Sequence, residues 1–191
     1  MHRLIFVFAL LFTPAVGHAA TAIFAGGCFW CMEPPFDVLE GVSETTSGYT
    51  GGRTDNPTYE DVSYSDTGHR EAVQVRYDPA KVSYAELLAV FWRNIDPFDD
   101  DGQFCDKGDS YRSAVFYANS DEQRLAEASK ATHETHFGRA VVTELLPTRR
   151  FYPAEDYHQN YYLENPWRYK YYRYGCGRDR RLEAIWGGVG D

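Results

Sequence analysis

Gly26-Gly27-Cys28-Phe29-Trp30-Cys31 sets two thiols three residues apart, with two large aromatic rings between them. Three chemistries use cysteine in such a setting. A C-x-x-C pair before a helix can exchange disulfides. A metal half-site would need a second ligand pair of suitable spacing. Cys105 and Cys176 stand alone, and the six histidines (His2, His18, His69, His133, His136, His158) form no half-site, so no metal is expected. The third chemistry uses one reactive thiolate. Gly26-Gly27 ends an apolar run, and Cys28 then opens the next helix. Unpaired amide donors and the helix dipole there favour the thiolate. The glycines allow a tight turn or close approach of a ligand.

The elements that must hold this segment follow from periodicity. Residues 21–25 read as a strand running into a turn, and 28–39 as a helix interrupted by Pro34 and Pro35. Strands are expected at 42–49 and at 71–77, where polar and apolar residues alternate. Ser83 and Glu86 have capping-box spacing ahead of Leu87, Leu88, Phe91, Trp92 and Ile95 at helical period. A strand at 111–118 precedes a second capping box, Ser120 with Gln123, and a helix to about 136. Another strand spans 139–146. Helices are expected at 153–164 and 178–186, separated by the aromatic tract 167–174. This order favours an α/β or α+β layered sheet.

The 191 residues suit one domain, and a 43% hydrophobic composition can bury a core. The net charge of -9 argues against a nucleic-acid partner. Arg3, the apolar run 4–12, Pro14 and the small residues Val16 to Ala20 have the order of a secretory signal peptide. A signal peptide over 1–20 is therefore expected, with one domain over 21–191 and a C-terminal tail from about 167. The mature protein would be exported to the periplasm, without membrane insertion. All four cysteines would then meet an oxidising compartment, where structural and catalytic roles are both open.

Gly27-Cys28-Phe29-Trp30 resembles the catalytic signature of the peptide methionine sulfoxide reductase A family. The resemblance runs on through Ser47-Gly48-Tyr49-Thr50-Gly51-Gly52, Asn56-Pro57-Thr58-Tyr59, Thr67-Gly68-His69-Arg70-Glu71-Ala72-Val73, Tyr77-Asp78-Pro79, Tyr111-Arg112-Ser113 and Phe151 to Gln159. It implies an α+β two-layer sandwich with a ferredoxin-like core, a mixed sheet and a long C-terminal tail. It also implies reduction of the S epimer of methionine sulfoxide in proteins and peptides; one enzyme serves each epimer. Cys28 would be the nucleophile, and Phe29 and Trp30 the wall for the S-methyl group. Glu71 would be the acid, with Tyr59 and Tyr111 on the sulfoxide oxygen and Asp106 a further acidic position. His69 and His158 are given structural roles only.

The residue types suit this chemistry. A sulfoxide sulfur is a poor electrophile until its oxygen is protonated, which needs a carboxylic acid kept neutral near pH 7. Burial among apolar and phenolic groups does that. Tyrosine hydroxyls donate to the developing oxygen charge without carrying charge. The products are methionine and a cysteine sulfenic acid, which condenses with a second thiol.

The chain departs from the common pattern at Cys31, where Gly is usual, and at Gln103-Phe104-Cys105-Asp106, where Gln-Gly-Asn-Asp is more familiar. Cys176, between Gly175 and Gly177, is the preferred resolving thiol, since family members often carry a recycling cysteine in a mobile C-terminal segment. Cys31 and Cys105 would then form a separate bridge or relay. Direct resolution by Cys31 is the rival, and four cysteines allow three pairings. No cofactor is expected; the reductant would be a thioredoxin-type dithiol protein and the enzyme a monomer. The alternatives are a thiol–disulfide oxidoreductase using Cys28 and Cys31, or a non-catalytic binding module held by two disulfides.

Overall fold

The computed structural model describes residues 19–187. The signal-peptide segment expected over 1–20 lies almost wholly outside the described residues. The first strand, β1 (Ala20–Ala25), begins where that segment was expected to end. It is followed by α1 (Glu33–Asp37), β2 (Val42–Thr50), α2 (Tyr59–Tyr64), β3 (Arg70–Tyr77), α3 (Tyr84–Arg93) and a small ribbon, β4 (Gly102–Gln103) with β5 (Asp106–Lys107). Then come β6 (Ala114–Tyr117), α4 (Ser120–Phe137), β7 (Glu144–Pro147), β8 (Tyr152–Pro153), α5 (Tyr161–Glu164), α6 (Pro166–Gly175) and α7 (Arg178–Trp186).

Six strands make one sheet in the order β7-β6-β1-β3-β2-β8. It is mixed: β6 and β7 are parallel and the other pairs antiparallel. The strand alternation decides which face carries what. Phe24, Val73, Val75, Tyr77 and Val115 point to the face covered by α3 and α4, with Phe36, Leu87, Leu88, Phe91, Trp92 and Ile95. Phe24 stacks between Phe36 (5.2 Å) and Phe91 (5.3 Å). The opposite face holds a thin cluster of Ile23, Ala25, Ala72, Ala114 and Phe116 under Leu146 and Phe151. The expected two-layer α+β sandwich with a mixed sheet is therefore present.

Several boundaries differ from the sequence reading, each for a local reason. The helix expected from Cys28 is a three-residue 3₁₀ turn (Phe29–Cys31) followed by the short α1, because Pro34 and Pro35 are tolerated only in a first turn. The Ser83 capping box is present, with the Ser83 hydroxyl accepting from the Glu86 N–H. The α4 cap is Asn119, not Ser120: the Asn119 Oδ1 accepts from the amides of Asp121 and Glu122. The strand expected at 111–118 starts only at Ala114, since Tyr111 ends a 3₁₀ turn. The strand at 139–146 shrinks to β7. The helix expected at 153–164 breaks into β8, a 3₁₀ turn (Asp156–His158) and α5, with Asn160 at φ 51° between them. The aromatic tract at 167–174 is itself helical, as α6. Helix α2 was unread; Thr58 and Asp61 cap it reciprocally.

The C-terminal helices dock on the domain through polar anchors. Arg178 is buried and donates to the carbonyls of Gly26 (3.2 Å) and Asn94 (2.6 Å), with Phe104 under its guanidinium. Arg181 pairs with Asp96 at 2.6 Å, and the Trp186 indole N–H donates to the Ile95 carbonyl.

Candidate active site

Cys28 stands between the end of β1 and the first 3₁₀ turn. The two preceding glycines do not open a path for a ligand. A Cβ on Gly26 would lie 2.6 Å from the Met32 sulfur and one on Gly27 2.5 Å from Gln103 Cβ, so they let the turn pack against the protein's own core. Gly27 also takes φ 80°, a left-handed conformation. The result is a sulfur held tightly below the surface, with Cys28 6% exposed.

Glu71 comes from β3, on the same face as Val73 and Val75. The Phe29 N–H donates to its Oε2 at 3.1 Å, which ties the cysteine turn to the sheet. Tyr59 opens α2, and Tyr111 closes the 3₁₀ turn after β5; both side chains line the pocket beside Glu71. Asp106 sits on β5, and Trp30 stacks on Tyr161 with ring centroids 3.8 Å apart. Cys28, Phe29, Trp30, Tyr59, Glu71, Asp106 and Tyr111 all line one pocket of about 70 Å³. The seven residues assigned a catalytic or substrate-binding part in the sequence are thus brought together from five separate stretches of chain.

Tyr172 of α6 lines the pocket too, and the sequence reading missed it. Its hydroxyl donates to Asp106 Oδ2, and Tyr172 shares the pocket lining with Cys28. Its one sequence signal was membership of the aromatic tract, which does not say which tyrosine of a helix faces inward.

The electrostatics follow from burial. Desolvation raises the Glu71 carboxyl to about 8, against the Phe29 amide, which favours its charged form. Desolvation also raises Asp106, opposed by the Tyr172 hydroxyl. Tyr59 and Tyr111 are pushed up by burial and then by the Glu71 charge, so both remain neutral donors. The thiols depart from expectation. Burial, then Cys31 and Glu71, raise Cys28, since a three-residue turn offers little dipole to oppose them. Cys31 is brought down to about 6 by the Cys28 hydrogen bond and by the Arg178 and Arg173 charges. The two sulfurs thus share one thiolate, with the charge resting on the Cys31 side.

Cys105 and Cys176 form a disulfide, closing 71 residues of sequence separation, while Cys28 and Cys31 are free and buried. The Cys31–Cys105 bridge considered from sequence is therefore absent: Cys31 is buried under the cysteine turn, whereas Cys105 is exposed on the ribbon beside the end of α6. Cys105, Asp106 and Cys176 also form a group with ligand atoms within 4.8 Å, but the disulfide occupies both sulfurs, which leaves one carboxylate for any ion.

The family profile described as peptide methionine sulfoxide reductase matches residues 20–188. The chain is 50% identical to peptide methionine sulfoxide reductase MsrA 2 of Rhizobium meliloti, over 98% of this chain and 96% of that one. The chain belongs to the peptide methionine sulfoxide reductase family. Among solved members, Mxr1 of Saccharomyces cerevisiae in reduced form superposes with a TM-score of 0.75 at 31% identity, over 82% of this chain and 90% of that one. Mxr1 has also been solved in complex with Trx2; that chain shares the fold at a TM-score of 0.55 and 24% identity, over 80% of this chain and 89% of that one.

Proposed function

We propose that this protein reduces methionine-S-sulfoxide in oxidised proteins and peptides, with Cys28 as nucleophile and Glu71 as proton donor. The observation that carries this reading is a buried carboxyl, raised to about 8, in the same pocket as the buried Cys28 thiol and two phenol donors. Cys28 attacks the sulfoxide sulfur while its proton passes to Cys31, which has the lower pKa. Glu71, whose Oε2 is occupied by the Phe29 amide, gives its proton to the oxygen. Tyr59 and Tyr111 donate to that oxygen as charge develops. Phe29 and Trp30 hold the S-methyl group, and Asp106 fixes Tyr172 in the pocket.

The S=O bond breaks, methionine leaves and Cys28 becomes a sulfenic acid. Cys31, now a neutral thiol in contact with Cys28, condenses with it; a Cys28–Cys31 disulfide and water result. Cys176, preferred from its flanking glycines, is tied to Cys105, and so enters only after that bridge opens. A thioredoxin-type dithiol protein supplies the electrons, as the Mxr1–Trx2 complex suggests by kinship. The N-terminal pattern supports export to the periplasm.

The test is single-turnover reduction of separate S and R epimers of a methionine sulfoxide peptide by pre-reduced protein. One methionine per enzyme from the S epimer alone is expected. No methionine from either epimer would overturn the reading and turn attention to disulfide exchange by Cys28 and Cys31.

A further inference from the structure

His158 was given only a structural part by the sequence, yet its ring touches three of the residues assigned to substrate. It lies 4.9 Å from the Phe29 ring, 5.7 Å from Trp30 and 4.7 Å from Tyr59, centroid to centroid. The contact with Trp30 is directional: the indole Nε1–H donates to His158 Nδ1 at 3.1 Å. That bond requires Nδ1 to be unprotonated, so the ring is neutral with its proton on Nε2. Burial, which disfavours the charged imidazole, acts in the same direction. His158 is 2% exposed, and its Nε2 has no hydrogen-bond partner among the described residues; the Glu155 carboxylate lies 3.9 Å away.

The surroundings make this ring a rigid reference point. Gln159 donates to the Ser47 carbonyl and accepts from the Ser47 amide, both at 2.9 Å, which locks the His158 segment to β2. Glu155, one turn earlier, accepts from the Tyr59 N–H and the Tyr49 hydroxyl, each at 2.9 Å. One short segment therefore fixes the indole of Trp30 through His158 and the backbone of Tyr59 through Glu155. Without the Nδ1 acceptor, the half-buried indole N–H loses its partner, and Trp30 keeps its stacking on Tyr161 and the edge of Tyr172. Stacking leaves a ring free to slide in its own plane; the hydrogen bond removes that freedom.

Building on the proposed reduction of methionine sulfoxide, we propose that His158 is a positioning residue that sets the Trp30 ring, and thereby how closely the pocket fits an S-methyl group. Its action is on recognition of the alkyl group next to the sulfoxide sulfur, not on proton transfer.

The test compares wild type, His158→Leu and His158→Asn on peptides carrying the S epimer of methionine sulfoxide or of its S-ethyl analogue, ethionine sulfoxide. Leu removes the acceptor at similar bulk; Asn returns an acceptor oxygen close to the Nδ1 position. With Leu, KM for the methyl substrate rises about tenfold, the worth of one hydrogen bond, while the single-turnover rate at saturation stays near wild type. The methyl-over-ethyl preference shrinks in step, and Asn restores both. Thermal melting of each variant accompanies the kinetics. Equal losses on both substrates, following the loss of melting temperature and unrescued by Asn, would reduce His158 to a structural residue. A folded Leu variant with unchanged KM and unchanged preference would also overturn the proposal. A wild-type protein that reduces neither sulfoxide overturns the proposed function itself, and this inference with it.

Discussion

Glu71 and the Cys28/Cys31 pair set a pH window that can be read one side chain at a time. In the proposed mechanism the nucleophile needs the shared thiolate, present above about 6, and the donor needs the protonated carboxyl, present below about 8. The single-turnover rate of the reduction step is therefore bell-shaped, highest near neutrality, with the two limbs belonging to the thiol pair and to Glu71. Glu71→Gln removes the basic limb and slows the step by about 10² to 10⁴, the usual range for a lost general acid; stopped-flow reduction from pH 5 to 10 checks both. Cys28→Ser yields no methionine at any pH. The same carboxyl predicts a stability effect. Its folded pKa of about 8 lies above the ordinary 4.5, so its contribution to folding is complete below 4.5 and is lost as pH rises through 8. Glu71→Gln, having no charge to bury, should lose less stability than wild type between urea melts at pH 6 and pH 9.

At the scale of elements, the C-terminal helices decide how much of the pocket is covered. Tyr172 reaches Asp106 and the pocket from α6, and the Cys105–Cys176 disulfide with Arg178 holds the end of that helix to the ribbon and to the cysteine turn. The double change Cys105→Ser, Cys176→Ser releases a crosslink spanning 71 residues, which chain entropy values at about 4 kcal/mol as an upper figure. The expected outcome is a lower melting temperature together with faster alkylation of Cys28 in the folded protein. Unchanged alkylation would mean that Tyr172 and Arg178 suffice to keep α6 in place. Helix α4 offers a cleaner local test. Asn119→Ala should cost about 1 kcal/mol by removing the cap, whereas Ser120→Ala should be near neutral in urea denaturation.

For the whole molecule, the acidic balance and the absence, among the described residues, of any helix long and apolar enough to cross a membrane leave the N-terminal segment as the one sorting signal read from the sequence. Under the proposed export, the mature chain would start near Ala20, at the beginning of β1. N-terminal sequencing of protein recovered from the periplasmic fraction is expected to start at or next to Ala20; full-length protein retained in the cytoplasm would contradict export. An exported enzyme also needs a dithiol donor outside the cytoplasm, so its steady-state rate should follow the supply of such a protein.

The sequence by itself determined the family and, through it, the reaction. Cys28, Phe29, Trp30, Tyr59, Glu71, Asp106 and Tyr111 were picked out by resemblance to the family, and the fold brings all seven to one pocket. The sequence also carried the strands β1, β2 and β3 and the helix α3, where alternation and a capping box are local signals. Only the tertiary structure decided the thiol pairing, the inward turn of Tyr172 and the contact between Trp30 and His158, 128 residues apart. Each depends on distance between remote segments, and neither propensity nor spacing encodes which sulfur meets which. The pKa order of Cys28 and Cys31 was also beyond reach from sequence. It is set by burial beside Glu71 on one side and by Arg178 and Arg173 on the other, and those neighbours exist only once the C-terminal helices have folded back onto the cysteine turn.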